Sequence, residues 1–211
     1  MSELERLEGW LRGELDRKNA AREGALTASR ELIRLCANAI RAVHRSETDQ
    51  ADELLRQAQA RNAQLVALLE PHPDLYFAGY VQDAQKELVE AECTRRLVFG
   101  EPLPDHVALG VAAAPFANGL AEAVGELRRF ILDQLRQNEL SRVEALLTSM
   151  DEIYGLLVTL DYPDALTGGL RRTTDATRAI LERTRGDLTV ALRQQQLERA
   201  LHSLESRLRS E

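Results

Sequence analysis

Apolar residues recur at steps of three and four along almost the whole chain, and no window alternates with a period of two. Leu4, Leu7, Leu11 and Leu15 open the pattern, and Leu26, Ile33, Ile40 and Val43 continue it. Residues 2–44 contain no proline and predict one very long helix, or two in line, with Gly9, Gly13 and Gly24 tolerated or marking a bend. A polar break at 46–49 ends that segment, and Thr48 or Asp49 is the expected cap of the next helix. That helix carries Leu54, Leu55, Ala58, Leu65 and Leu68 to about residue 70, where Pro71-His72-Pro73 stops it. Asp74 is the expected cap of a third helix ending at Gly100, a typical C-terminal glycine. A turn over 101–105 and a short helix within 107–115 follow. A fourth major helix runs from Pro115 to about residue 136 on a stripe of Phe116, Leu120, Val124, Leu127 and Ile131, and Asn138 and Glu139 break it. The next helix holds Val143, Leu146, Leu147, Ile153, Tyr154, Leu157 and Val158 and ends before Tyr162-Pro163. The last covers about 164–209, with Gly168-Gly169 and Gly186 as weak points.

The pattern predicts an all-α chain: one helical domain over residues 1–211, an antiparallel bundle of about six or seven helices with short loops. Long helices with Leu and Ala on one side, and Arg and Glu on the other, usually cover a second face with another subunit, so a homo-oligomer is expected. Composition agrees. Hydrophobic residues make up 44% of the chain but aromatics only 4%, and Ala, Leu, Arg and Glu fill the difference, as in long-helix proteins. The net charge of −7 argues against generic polyanion binding, so a nucleic-acid site has to be a local arginine patch. Only Lys18 and Lys86 are lysines. Cys36 and Cys93 sit among apolar helical neighbours without metal-ligand spacing and read as free buried thiols. The charged start and the absence of an apolar run near the roughly 18 residues of a spanning helix suggest a cytoplasmic protein with no membrane contact.

Familiar sites are absent from the sequence. No glycine-rich phosphate loop fits, and Gly168-Gly169 is too poor a match. His44, His72, His106 and His202 are scattered, and no G-x-S-x-G elbow occurs. Acidic residues on helices remain. In the segment 83–98, Glu87 and Glu90 stand three residues apart on neighbouring lines of one helix. Phe77, Tyr80, Ala84, Leu88, Ala91 and Val98 form its apolar stripe; Glu87 falls inside it and Glu90 at its edge. A carboxylate on a burying face needs a partner. Either it pairs with an arginine or with Lys86, or it binds metal.

A second pair, Glu122 and Glu126, lies one turn apart on the fourth major helix, off its apolar stripe and beside Asn118, Gly119 and Gly125. Alone it reads as a solvated face, although the glycines allow another backbone or a ligand to come close. If the third and fourth major helices pack antiparallel, the two pairs converge. Four carboxylates around one point need a cation. Oxygen ligands suit Mg²⁺ or Mn²⁺, the usual apparatus for activating water against a phosphodiester.

Three segments resemble the translin family. KELVEA (residues 86–91) is similar to the QE-hydrophobic-VEA segment of the translin-associated factor X subunit, and GLAEAVGELRR (119–129) to that subunit's matching helix. SREL (29–32), Ile40 and VHR (43–45) resemble the first-helix signature shared with translin. The order and spacing of these short motifs hold from about residue 16 to 188. The resemblance implies an all-α fold, a ring- or barrel-like oligomer, and a Mg²⁺-dependent endoribonuclease acting on single-stranded RNA. It places catalytic acids at Glu87, Glu90, Glu122 and Glu126, the first three as metal ligands. The factor X subunit commonly has Asp where Glu122 stands, a difference of one methylene in the ligand. Translin itself carries a basic, His-rich stretch where this chain has acids, which points to the catalytic type. RNA contacts are expected at Arg22, Arg30, His44 and Arg45 on the first helix, then at Arg171, Arg172 and Arg178 on the last. Tyr76, Phe77 and Tyr80 are the aromatics nearest the acids and read as core. The alternatives are a non-catalytic oligomer binding single-stranded RNA or DNA, and a helical scaffold with neither property.

Overall fold

The proline-free start of the chain forms one unbroken helix. In the computed structural model, which describes residues 2–137, 139 and 141–209, α1 spans Glu3–His44. At 42 residues it is about 63 Å long. Ser2 caps it: its hydroxyl accepts from the Glu5 backbone N–H while the Glu5 carboxylate accepts from the Ser2 N–H. The other helices are α2 (Thr48–Leu69), α3 (Pro73–Tyr76), α4 (Gly79–Phe99), α5 (His106–Leu109), α6 (Ala113–Arg136), α7 (Val143–Val158), α8 (Asp164–Thr167) and α9 (Leu170–Leu208). No strand occurs among the described residues. The helix total exceeds the expected six or seven because three single turns, α3, α5 and α8, stand as separate elements.

α4 is the central element, packed by α1, α2 and α6. It buries Val81, Ala84, Leu88, Val89, Ala91, Cys93 and Val98. α1 approaches closely because its inner face is small: Ala21, Ala25, Ala28, Ala39 and Ala42 are buried there. α6 in turn is flanked by α4, α7 and α9. The 13-residue connection between α4 and α6 is long enough to return along α4. Buried Asn62 fixes that return: its Nδ2 donates to the Leu109 carbonyl at 2.8 Å and its Oδ1 accepts from Gln85 at 3.1 Å. α6 therefore starts beside the start of α4, and these two helices do not meet in the antiparallel sense that would have joined the acidic pairs.

Several local expectations change. Asp74 does not cap the motif-bearing helix, which begins at Gly79 behind Ala78; Asp74 pairs with Lys18 of α1 instead. Neither Thr48 nor Asp49 caps α2, whose N-cap is Glu47. Gly100 ends α4 in the left-handed conformation, as its position predicted. Asn138 lies outside the described residues, while α6 ends at Arg136. Phe77 is no core residue: it sits in the corner between α3 and α4, 66% exposed, edge-on to Tyr76. No helix is long and apolar enough to cross a membrane among the described residues.

Candidate metal centre and nucleic-acid cleft

α4 and α6 touch at backbone level. At Gly119 a Cβ would stand 2.5 Å from the Lys86 carbonyl oxygen, 2.7 Å from Val89 Cβ and 3.1 Å from the Glu90 nitrogen. Only glycine fits that crossing. Three residues beyond it, Glu122 meets Glu87 and Glu90. Each contributes one carboxylate oxygen, and the three oxygens all lie within 4.8 Å of one another. The three residues are half-buried. Glu122 thus departs from its solvated wheel position. α6 is packed from several sides, and the line of Glu122, Gly125 and Glu126 falls in the seam between α4 and α9.

The charges in this cluster conflict with their surroundings. The Glu90 carboxyl is pushed up to about 8, first by burial and then by Glu87, Glu122 and Glu126. Burial also raises Glu87; Lys86 opposes the rise, and Glu122, Asp83 and Glu126 add to it. Lys86 Nζ donates to Glu122 Oε1 at 2.9 Å. Burial works against the ammonium, but the Glu122 bond, Glu87 and Asp83 carry Lys86 above its ordinary value. The salt bridge that the sequence offered to the first acidic pair therefore goes to the second.

Glu126 behaves differently. Its Oε2 bonds His44 Nε2, and this partner holds its carboxyl below the usual range despite burial. His44 was expected to contact RNA from the surface of α1. Its side chain is instead 6% exposed, close to the Phe130 ring and aimed at Glu126. A protein-internal acceptor has claimed the imidazole.

The acids open on a cleft of about 560 Å³. Glu90, Glu122 and Glu126 line one wall; Gly168, Gly169, Arg172, Thr173 and Thr177 line the other. Asn118 joins the walls, its Nδ2 donating to the Thr167 carbonyl at 2.7 Å and its Oδ1 accepting from Thr173 at 2.9 Å. Gly168 and Gly169 both adopt positive φ, which turns the chain sharply from α8 into α9. α9 starts there without a side-chain cap, leaving backbone N–H groups and the positive end of a 39-residue helix beside the acids.

Arg172 is the expected RNA contact that lines this cleft. Arg171 and Arg30 are exposed. Arg22, Arg45 and Arg178 are also exposed, paired with Glu23, Glu47 and Glu182. The Gly168-Gly169 corner, Asn118 and the His44–Glu126 pair escaped the sequence reading. A signal existed for the corner: two adjacent glycines one residue ahead of Arg171-Arg172. His44 and Glu126 are 82 residues apart, beyond any local pattern.

No family model matches the chain. An uncharacterized protein of Methanocaldococcus jannaschii is 32% identical over 199 residues, 93% of this chain and 88% of that protein. Among solved structures, AfC3PO in complex with duplex RNA is 35% identical with a TM-score of 0.82, covering 88% of this chain and 96% of its own. A crystal structure of AfC3PO, an archaeal translin-type protein, gives 0.81 at the same identity and coverage. The chain belongs to the translin family. Apo-NeC3PO, at 17% identity and a TM-score of 0.79 over 90% of this chain, shares the fold.

Proposed function

We propose that this translin-family chain is a Mg²⁺-dependent endoribonuclease that cleaves single-stranded RNA, assembled as a homo-oligomeric ring or barrel. One observation carries the reading: three carboxylate oxygens from two helices lie within 4.8 Å of one another, two of the three residues, Glu90 and Glu122, lining a cleft whose far wall bears Arg172 and the start of α9.

The residues fit a divalent cation. Burial first, and then the neighbouring carboxylates, push Glu90 up to about 8, and a hard cation relieves that conflict. Glu87, Glu90 and Glu122 are the proposed ligands of Mg²⁺, or of Mn²⁺ in its place. When bound, such an ion polarises a phosphate oxygen and promotes ionisation of water. The protein's own groups do the rest. Arg172 and the uncapped N–H groups of α9 attract and orient the phosphate. Glu126 lines the same cleft as an ionised carboxylate. Its contacts with His44 and Arg129 both fall on Oε2, leaving Oε1 to accept a proton from the attacking water.

One observation favours a second reading, a non-catalytic oligomer that binds single-stranded RNA or DNA: Lys86 already partners Glu122. The relative AfC3PO, seen in complex with duplex RNA, supports RNA binding under either reading. A labelled single strand and its duplex, each incubated with Mg²⁺ and with EDTA, separate the readings when wild type is compared with Glu90→Ala. The enzyme reading predicts cleavage of the single strand by wild type in Mg²⁺ alone. Binding without cleavage supports the second reading, and equal cleavage in every lane means contamination.

A further inference from the structure

Lys86 immediately precedes the first acid of the trio, and its ammonium is bonded to the third. One of the proposed metal ligands is therefore already engaged by a cation of the protein itself. The contact is sheltered, with the Lys86 and Glu122 side chains 24% and 33% exposed. It is also local in origin. Gly119 lies against the Lys86 carbonyl, so the backbone crossing that brings Glu122 to the trio brings it to Lys86 as well. The other acid of this pair on α6, Glu126, is served separately, by His44 and Arg129. Three carboxylates are thus held with one bonded ammonium, on a flexible four-carbon stem that can swing away.

An ammonium and a divalent ion held by the same carboxylates repel each other at contact distance. We propose that Lys86 is a displaceable internal counter-ion: it holds Glu122 in the metal-free protein and leaves when a divalent cation enters. Lys86 thereby sets the metal concentration at which the site fills. This inference rests on the metal-site reading above. It concerns this chain's own sequence, because KELVEA carries Lys where the resembling segment carries Gln.

The chain suits a direct test, since Lys18 of α1, paired with Asp74 of α3, is its one other lysine. The probe is Mn²⁺, titrated calorimetrically into wild type, Lys86→Gln, Lys86→Met and the control Lys18→Gln. Both Lys86 variants are expected to bind Mn²⁺ about tenfold more tightly, equivalent to about 1.4 kcal/mol, with the control unchanged. In EDTA the same two variants melt at lower temperature, because the trio has lost its counter-charge. In wild type, Mn²⁺ increases acetylation of Lys86 by an amine-reactive ester several-fold and leaves Lys18 unaffected. Mn²⁺ affinity that is unchanged or weaker in both Lys86 variants overturns the inference. So does Lys86 acetylation that ignores Mn²⁺ in wild type, a readout that needs no variant to fold. Wild type that takes up no Mn²⁺ instead overturns the metal-site reading, and the inference with it.

Discussion

Glu90 is where burial and charge conflict most. Its carboxyl is pushed up to about 8 by burial and then by Glu87, Glu122 and Glu126. Between the ordinary carboxylate range and that value, the folded protein keeps a proton that the unfolded chain has released. The stability of the metal-free protein therefore falls as pH rises through this window. A shift of this size corresponds to on the order of 5 kcal/mol. Urea unfolding in EDTA at about pH 5 and about pH 8.5 is expected to show a less stable wild type at the higher pH. Glu90→Gln flattens that slope; a slope that survives the substitution places the conflict elsewhere. Glu126 has the opposite sign. The His44 bond lowers its pKa, so its carboxylate stays ionised to lower pH. His44→Ala is expected to move the acidic limb of the cleavage profile upward, while burial of Glu126 remains. A pH–rate profile identical to wild type would remove His44 from the chemistry. These residue-scale features were unequally legible. Glu87 and Glu90 stand out because a helix wheel places them on or beside an apolar stripe. His44 does not, because its partner lies on another helix.

At the scale of elements, the crossing of α4 and α6 decides whether the site exists. Gly119 allows it, and a methyl group there would meet the Lys86 carbonyl and Val89 inside van der Waals contact. Gly119→Ala is expected to destabilise the fold by about 1–3 kcal/mol, as overpacking does, and to separate Glu122 from the α4 acids. Thermal melting in EDTA and in Mn²⁺ checks both effects. A variant with normal melting and a full Mn²⁺ shift would show that the crossing tolerates a side chain. This element-scale geometry was half legible. The glycines beside Glu122 and Glu126 marked a place of close approach, and the helix boundaries near Gly100 and Pro71 followed from local chemistry. The wheel failed for Glu122 because it assigns a helix one buried face, whereas α6 is packed by α4, α7 and α9. Direction failed too, because short-loop reasoning gives antiparallel neighbours, while the segment before α6 returns along α4 to Asn62 and Gln85.

At the scale of the molecule, both longest helices carry apolar lines that no part of the described chain covers. Leu4, Leu7, Trp10, Leu11 and Leu15 are exposed at the start of α1; Val190, Leu197, Leu201, Leu204 and Leu208 are exposed along the end of α9. Their helical spacing is what makes a sequence reading predict a partner, and monomers rarely leave such lines in water. The expected partner is another copy. The double substitution Leu7→Glu with Leu11→Glu is expected to lower the light-scattering mass while the far-ultraviolet helix signal changes little. A wild type that is monomeric at micromolar concentration would contradict the assembly. The proposed activity depends less on assembly than on whether the trio holds metal. Diffraction from Mn²⁺-soaked crystals, measured for anomalous scattering, tests that most directly. The predicted result is one strong peak within ligand distance of Glu87, Glu90 and Glu122, absent in Glu90→Ala. A well-ordered trio with Lys86 still bonded to Glu122 and no peak between the carboxylates would contradict the account.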